Sequence, residues 1–160
     1  MRELRPGFVG LGVMGLPMAL RLAGTGLPLL VWNRSAARCE ALRAAGASVA
    51  PDLDSLFAGC DVIFLMLASS EAMDEVLDRC GPAFATRVAG RTVVSMGTFA
   101  PEYSAALARD IVAAGGDYVE CPVSGSRKPA EAGELVGMLA GRQVVIERIR
   151  PLLAPMCKEV

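Results

Sequence analysis

The chain has 160 residues, 53 % of them hydrophobic, with 16 basic against 17 acidic side chains and a formal net charge of −1. That length and apolar content suit one well-buried domain, and a balanced charge without a basic run offers no footprint for nucleic acid or an anionic membrane. The chain has no histidine, which removes Ser-His-Asp and Cys-His nucleophile systems and leaves poor material for a metal site, so no metal is expected.

In chain order, residues 7–11 (GFVGL) read as a strand and 15–23 as a helix that buries Leu16, Met18, Ala19, Leu20 and Leu22, closed by Gly24-Thr25-Gly26. Residues 27–33 (LPLLVWN) form a second strand, Ser35 is placed to cap a helix over 36–46, and 48–50 is a short third strand. A short helix capped by Asp52 follows, then DVIFLML (61–67), apolar enough to be a central parallel strand covered on both faces. The alternation continues through a helix over 71–80, a strand over 91–96 and a helix from Pro101 to about Ala114. A polar loop over 126–133 leads to a strand over 134–141 and a last helix over 142–156, which Pro151 is expected to kink or end. Repeated βα units of this length predict a Rossmann-type α/β fold over 1–160: a doubly wound, mainly parallel sheet with ligands beyond the carboxyl ends of its strands.

The five cysteines, Cys39, Cys60, Cys80, Cys121 and Cys157, are scattered and never in C-x-x-C spacing, so they read as reduced thiols. No apolar run approaches the roughly 20 residues of a membrane span. The N-terminus shows no signal-peptide pattern, and the expected location is the cytosol.

Chemistry enters at Gly10-Leu11-Gly12-Val13-Met14-Gly15. This G-x-G-x-x-G follows a predicted strand and opens a predicted helix, the context in which it binds a dinucleotide. The first glycine makes the turn, the second admits the pyrophosphate to the backbone, and the third lets helix and strand pack closely. The second strand ends in Trp32-Asn33-Arg34-Ser35. A carboxylate there would take the ribose of NAD, whereas an arginine meets the 2′-phosphate of NADP, so Asn33, Arg34 and Ser35 favour NADP, with NAD as the alternative.

These residues resemble the opening of the β-hydroxyacid dehydrogenases, the family of 3-hydroxyisobutyrate dehydrogenase, tartronate semialdehyde reductase and the glyoxylate/succinic semialdehyde reductases. IFLMLASS (63–70) resembles the family segment that passes over the cofactor, which puts Met66 and Leu67 there. VSMGTFAPEYSAALA (94–108) resembles its Ser-Thr-x-x-Pro segment, with Thr98 at the threonine. ECPVSGSRKPAEAGEL (120–135) is similar to the D-A-P-V-S-G-G substrate segment, closest to the glyoxylate/succinic semialdehyde reductase branch.

The resemblance implies that Ser124 and Gly125, followed by Ser126, hold the carboxylate of a small substrate. It also implies hydride transfer between nicotinamide and a β-hydroxy acid or semialdehyde. Glu120 stands for the usual Asp and Cys121 for the usual Ala; without a histidine, Cys121 reads as a buried structural thiol rather than a nucleophile. In the family a lysine on a following all-helical domain serves as general acid/base, and that domain builds the oligomer. No residue here matches that lysine, so no catalytic residue is assigned in this chain and it reads as the cofactor-binding part of a longer homo-oligomeric protein. Lys158 falls in the closing segment; Lys128, the only other lysine, is the one internal candidate, against a solvated loop charge. Two other readings share these motifs: an imine reductase, with a similar GLGxMG and WNR opening, and a dinucleotide-binding module without catalysis.

Overall fold

The computed structural model describes residues 2–160. Its centre is a parallel sheet of β1 (Pro6–Val9), β2 (Leu30–Trp32), β3 (Ser48–Val49), β4 (Val62–Leu65), β5 (Thr92–Ser95) and β6 (Asp117–Glu120), in the order β3-β2-β1-β4-β5-β6. The strand order reverses between β1 and β4, which opens a crevice at their carboxyl ends. Register puts Trp32, Val9, Leu65, Ser95 and Glu120 in one row along that edge.

Every residue of β1, β4 and β5 is buried, which is why these segments read as continuous apolar runs rather than alternating ones. On one face Phe8, Phe64, Val94 and Val119 meet α1 (Gly15–Ala23), α2 (Glu40–Ala44) and α8 (Gln143–Leu153) through Met18, Leu42 and Ile149. The Phe8 and Phe64 rings stack with centroids 6.3 Å apart. On the other face Ile63, Leu65 and Val93 meet α3 (Leu53–Gly59), α4 (Ser70–Leu77), α5 (Phe84–Val88) and α6 (Pro101–Ala113) through Leu56, Met73, Val88 and Leu107. The two-sided Rossmann fold is therefore present, and no helix among the described residues is long and apolar enough to cross a membrane.

Several local expectations change. The helix expected over 36–46 starts as a 3-10 turn, Ala36–Cys39, before α2, and the Ser35 hydroxyl caps nothing although its backbone is extended. Asp52 does cap α3, accepting from the Ser55 N–H at 2.7 Å, and Ser69 caps α4 through the Ala72 N–H at 3.1 Å. The loop expected over 126–133 holds α7 (Arg127–Ala132). Pro129 fits there because a first-turn N–H has no helical partner to lose, and the Ala130 N–H closes the turn on the Ser126 carbonyl at 3.1 Å. Pro151 lies in the final turn of α8 without ending it before Leu153, and buried Leu152 and Leu153 anchor that turn. A small second sheet, β7 (Val123–Ser124), β8 (Leu135–Gly137) and β9 (Cys157–Glu159), joins the main one through a bridge between Glu120 and Ala140.

Candidate cofactor and substrate site

The β1–α1 loop is shaped by its glycines in two different ways. Gly10 has φ +99°, and a Cβ there would lie 2.1 Å from the Met66 carbonyl oxygen; a Cβ on Gly15 would lie 1.7 Å from the Gly10 carbonyl oxygen. The fold itself demands these two. Gly12 differs, since a Cβ on it would meet nothing within 4 Å. Around it the N–H groups of Gly12, Val13 and Met14 have no protein partner among the described residues, while the Leu16 N–H already returns to the Gly12 carbonyl at 3.0 Å. Free N–H donors at the start of a nine-residue helix are the kind of group that accepts an anion.

Leu11 stands apart from that row. It is fully buried, and its N–H donates to Asn33 Oδ1 at 2.9 Å. Asn33 Nδ2 in turn donates to the Ser35 carbonyl at 3.0 Å. The oxygen end of this amide therefore ties the glycine loop to the tip of β2, and its nitrogen end braces the turn after that tip. Arg34 and Ser35 are exposed beside it, and the Arg34 guanidinium has neither ion pair nor hydrogen bond among the described residues.

A cleft of about 160 Å³ lies between these tips, walled by Trp32, Leu53, Leu67, Ala72 and Val76, with Arg34 at its rim. Leu53, Ala72 and Val76 come from α3 and α4; nothing local in the sequence marks them, because only the fold brings them to β2. Arg38 is a further cation that the motif reading misses. It sits four residues past Arg34 and donates from Nη1 to the Leu11 carbonyl at 3.3 Å.

Met66 and Leu67 leave β4 directly over the crevice. The Met66 N–H extends the ladder to the Val9 carbonyl at 3.0 Å. Gly97 seats the exit of β5 on that of β4, since a Cβ there would lie 2.6 Å from the Leu67 carbonyl oxygen. Exposed Thr98 follows, at the same edge. The two loops are held together behind the site: Tyr103 of α6 donates from its hydroxyl to Asp74 of α4 at 2.6 Å, and Arg79 pairs with Asp74 and Asp110 at 3.3 and 2.8 Å. The Arg79 guanidinium also stacks over the Tyr103 ring, 5.3 Å from its centroid. Burial and the neighbouring Asp74 carboxylate push the Tyr103 phenol upward, which keeps it a donor.

Ser124, the last residue of β7, and Gly125 and Ser126 beyond it are exposed, and neither serine hydroxyl has a partner among the described residues. Gly125 has φ +135°. The structure brings this segment toward the glycine loop through α7, because Arg127 and Glu131 share a hollow of about 430 Å³ with Gly12, Val13 and Arg38. Lys128 is exposed on α7, whereas Arg127 pairs with Glu131 at 2.8 Å. Cys121 is fully buried, and burial pushes its thiol up to about 12, with the neighbouring Cys157 thiol adding to the shift. A thiol so protonated is no nucleophile at neutral pH.

Comparison with known proteins agrees with this geometry. "Glyoxylate/succinic semialdehyde reductase 2, chloroplastic" of Arabidopsis thaliana is 37 % identical over 153 residues, covering 95 % of this chain and 42 % of that protein. "Cytokine-like nuclear factor N-PAC" of Xenopus tropicalis is 37 % identical over 142 residues, covering 88 % of this chain and 26 % of that protein. A solved structure of Psf3 in complex with NADP+ and 2-OPP superposes with a TM-score of 0.89 at 36 % identity, over 97 % of this chain and 56 % of that one. The chain thus spans about half the length, or less, of these relatives. Residues 5–160 match the NAD binding domain of 6-phosphogluconate dehydrogenase, and the chain belongs to that family.

Proposed function

We propose that this chain is the cofactor-binding part of an NADP-dependent oxidoreductase of small β-hydroxy acids or semialdehydes. One observation carries the cofactor reading: three N–H groups without a protein partner lie at a helix start around Gly12, whose Cβ side is open, with an unpaired arginine lining the adjoining cleft. The donor set fits a dinucleotide. Gly12, Val13 and Met14 would meet the pyrophosphate, Arg34 and Ser35 the 2′-phosphate, and the apolar walls Trp32, Leu67 and Val76 the adenosine. Gly10, Gly15, Leu11 and Asn33 act one step back by holding the loop open. Met66, Leu67 and Thr98 would line the nicotinamide half.

A bound nicotinamide supplies hydride exchange with a carbonyl carbon. This chain's residues contribute orientation: the Ser124 and Ser126 hydroxyls and the Gly125 N–H would hold the substrate carboxylate beside the glycine loop. Glyoxylate, succinic semialdehyde, tartronate semialdehyde and 3-hydroxyisobutyrate are the substrates this reading names. The carboxylate-binding segment favours them over the imines of an imine reductase. The proton is supplied by a lysine of an all-helical part outside this chain, which also builds a homo-oligomer in the cytosol.

Replacing Arg34 with Ala tests the specificity directly. NADPH affinity should fall roughly tenfold to a hundredfold, the loss of a charge-assisted contact, while NADH affinity changes little; equal losses would refute the 2′-phosphate role. The likeness to a nuclear factor supports a second reading, a dinucleotide-binding module without turnover. Turnover of succinic semialdehyde by the full-length gene product would rule that reading out.

A further inference from the structure

The helical period of α4 sends its neighbouring acids, Asp74 and Glu75, in different directions. Asp74 faces α6, where it accepts from the Tyr103 hydroxyl at 2.6 Å and pairs with Arg79 at 3.3 Å. Glu75 instead lines the cleft beside Ala72 and Val76, the one acidic residue among those that wall it. Its carboxylate makes no ion pair or hydrogen bond among the described residues.

The helix itself gives no reason for an acid at this position. Glu75 lies in the last turn of α4, where the negative end of the helix dipole disfavours a carboxylate, and Glu71, four residues earlier, carries the same charge. Arg79, four residues later, is the cation the spacing would offer, but Asp74 and Asp110 hold it at 3.3 and 2.8 Å. Arg34 lines the same cleft and is equally unpaired, so the two opposite charges share one slot without meeting. At about 160 Å³ the slot is smaller than the roughly 300–1,000 Å³ that holds a whole drug-sized ligand, and it suits a single ring system.

A ligand that satisfies this slot needs an anionic group for Arg34 and a flat apolar body for Trp32, Leu53 and Leu67. It also needs a ring-borne N–H for Glu75, because a carboxylate only accepts. Adenosine 2′-phosphate has all three, the donor being its 6-amino group. A 6-oxo purine turns a carbonyl oxygen toward the same carboxylate, and a site built to receive an N–H discriminates against a base that lacks it. We propose that Glu75 is a base-specificity residue, accepting from the adenine 6-amino group while Arg34 holds the 2′-phosphate. The proposal rests on the dinucleotide reading of the cleft and adds to it the choice of base.

Calorimetric titration of the 160-residue chain with NADPH and with reduced nicotinamide hypoxanthine dinucleotide phosphate, which has an oxygen in place of the 6-amino group, tests it. The parent chain should bind NADPH about tenfold tighter than the analogue, the loss of one charge-assisted hydrogen bond at a solvent-exposed rim. Glu75→Gln should bring the two within about twofold, because the glutamine amide can accept from one base and donate to the other. The same variant should melt at or slightly above the parent temperature, since it relieves the repulsion from Glu71 and the helix end. NADPH binding without preference in the parent, or a preference that survives Glu75→Gln, overturns the base-specificity role and leaves the cofactor site standing. Binding of neither nucleotide overturns both.

Discussion

The glycines of the β1–α1 loop separate folding from binding residue by residue. At Gly15 a methyl group would drive into a backbone carbonyl, which no side-chain rotation can relieve, so Gly15→Ala should cost about 3 kcal/mol or more and lower the melting temperature sharply. At Gly12 the same methyl enters open space. Gly12→Val should therefore melt near the parent temperature yet lose NADPH affinity by about a hundredfold or more, because the branched side chain fills the place of the pyrophosphate. A melting curve and a titration on both variants check the contrast, and a Gly12→Val chain that still binds NADPH removes the phosphate-loop assignment. Sequence alone made Gly10, Gly12, Gly15 and Arg34 legible, since each sits in a motif whose chemistry is local. It could not show that Asn33 turns both ends of its amide to backbone, or that Leu53 and Val76 wall the cleft. Apart from the local bond between Asn33 and Ser35, those contacts join residues distant in the chain, 22 positions apart for Leu11 and Asn33, and only the completed sheet creates them.

At the scale of elements, side chains behind the site fix how its loops sit. Tyr103 joins α6 to α4 through Asp74, so Tyr103→Phe should destabilise the chain by about 1 kcal/mol, at the low end for a charged partner because Asp74 remains partly exposed and paired with Arg79. Thermal unfolding reads this. A second lock ties the chain start to β4: Asp61 accepts from the Arg5 backbone N–H and guanidinium at 2.9 to 3.2 Å and from Arg2 at 2.9 Å. The Arg5 hydrogen bond, more than any other neighbour, holds the Asp61 carboxyl below its usual range. Its folded pKa is thus depressed, so its contribution is fully present above the unfolded value of about 3.9 and disappears as pH falls through the lower folded value. The stability gap between the parent and Asp61→Asn should be constant near neutrality and close in acid. A gap that persists unchanged to pH 2 would contradict the assignment.

Elements were legible where one physical signal dominated, as in the apolar runs of β1, β4 and β5 or the Asp52 cap. They were hidden where tertiary packing decided. Residues 127–132 look polar and proline-broken, yet they form α7 because Ala130 buries against the body and Pro129 falls in the first turn.

For the whole molecule, a 3-2-1-4-5-6 sheet gathers the exits of β1, β2, β4 and β5 onto one edge, with the Ser124–Ser126 segment brought up beside them by α7. One edge thereby gathers a candidate phosphate loop and an arginine at an apolar cleft, with α7 leading the candidate carboxylate segment toward them. It holds no general acid matching the family lysine. That division of labour defines the central claim: this chain binds the cofactor, and the proton comes from elsewhere. The most direct test is a side-by-side titration of the 160-residue chain with NADPH and NADH, followed by an assay with glyoxylate and succinic semialdehyde. Preferential NADPH binding without turnover is the expected result. Equal or absent binding of the two cofactors would contradict the site. Turnover by this chain alone would contradict the division of labour and make Lys128 the first proton donor to remove.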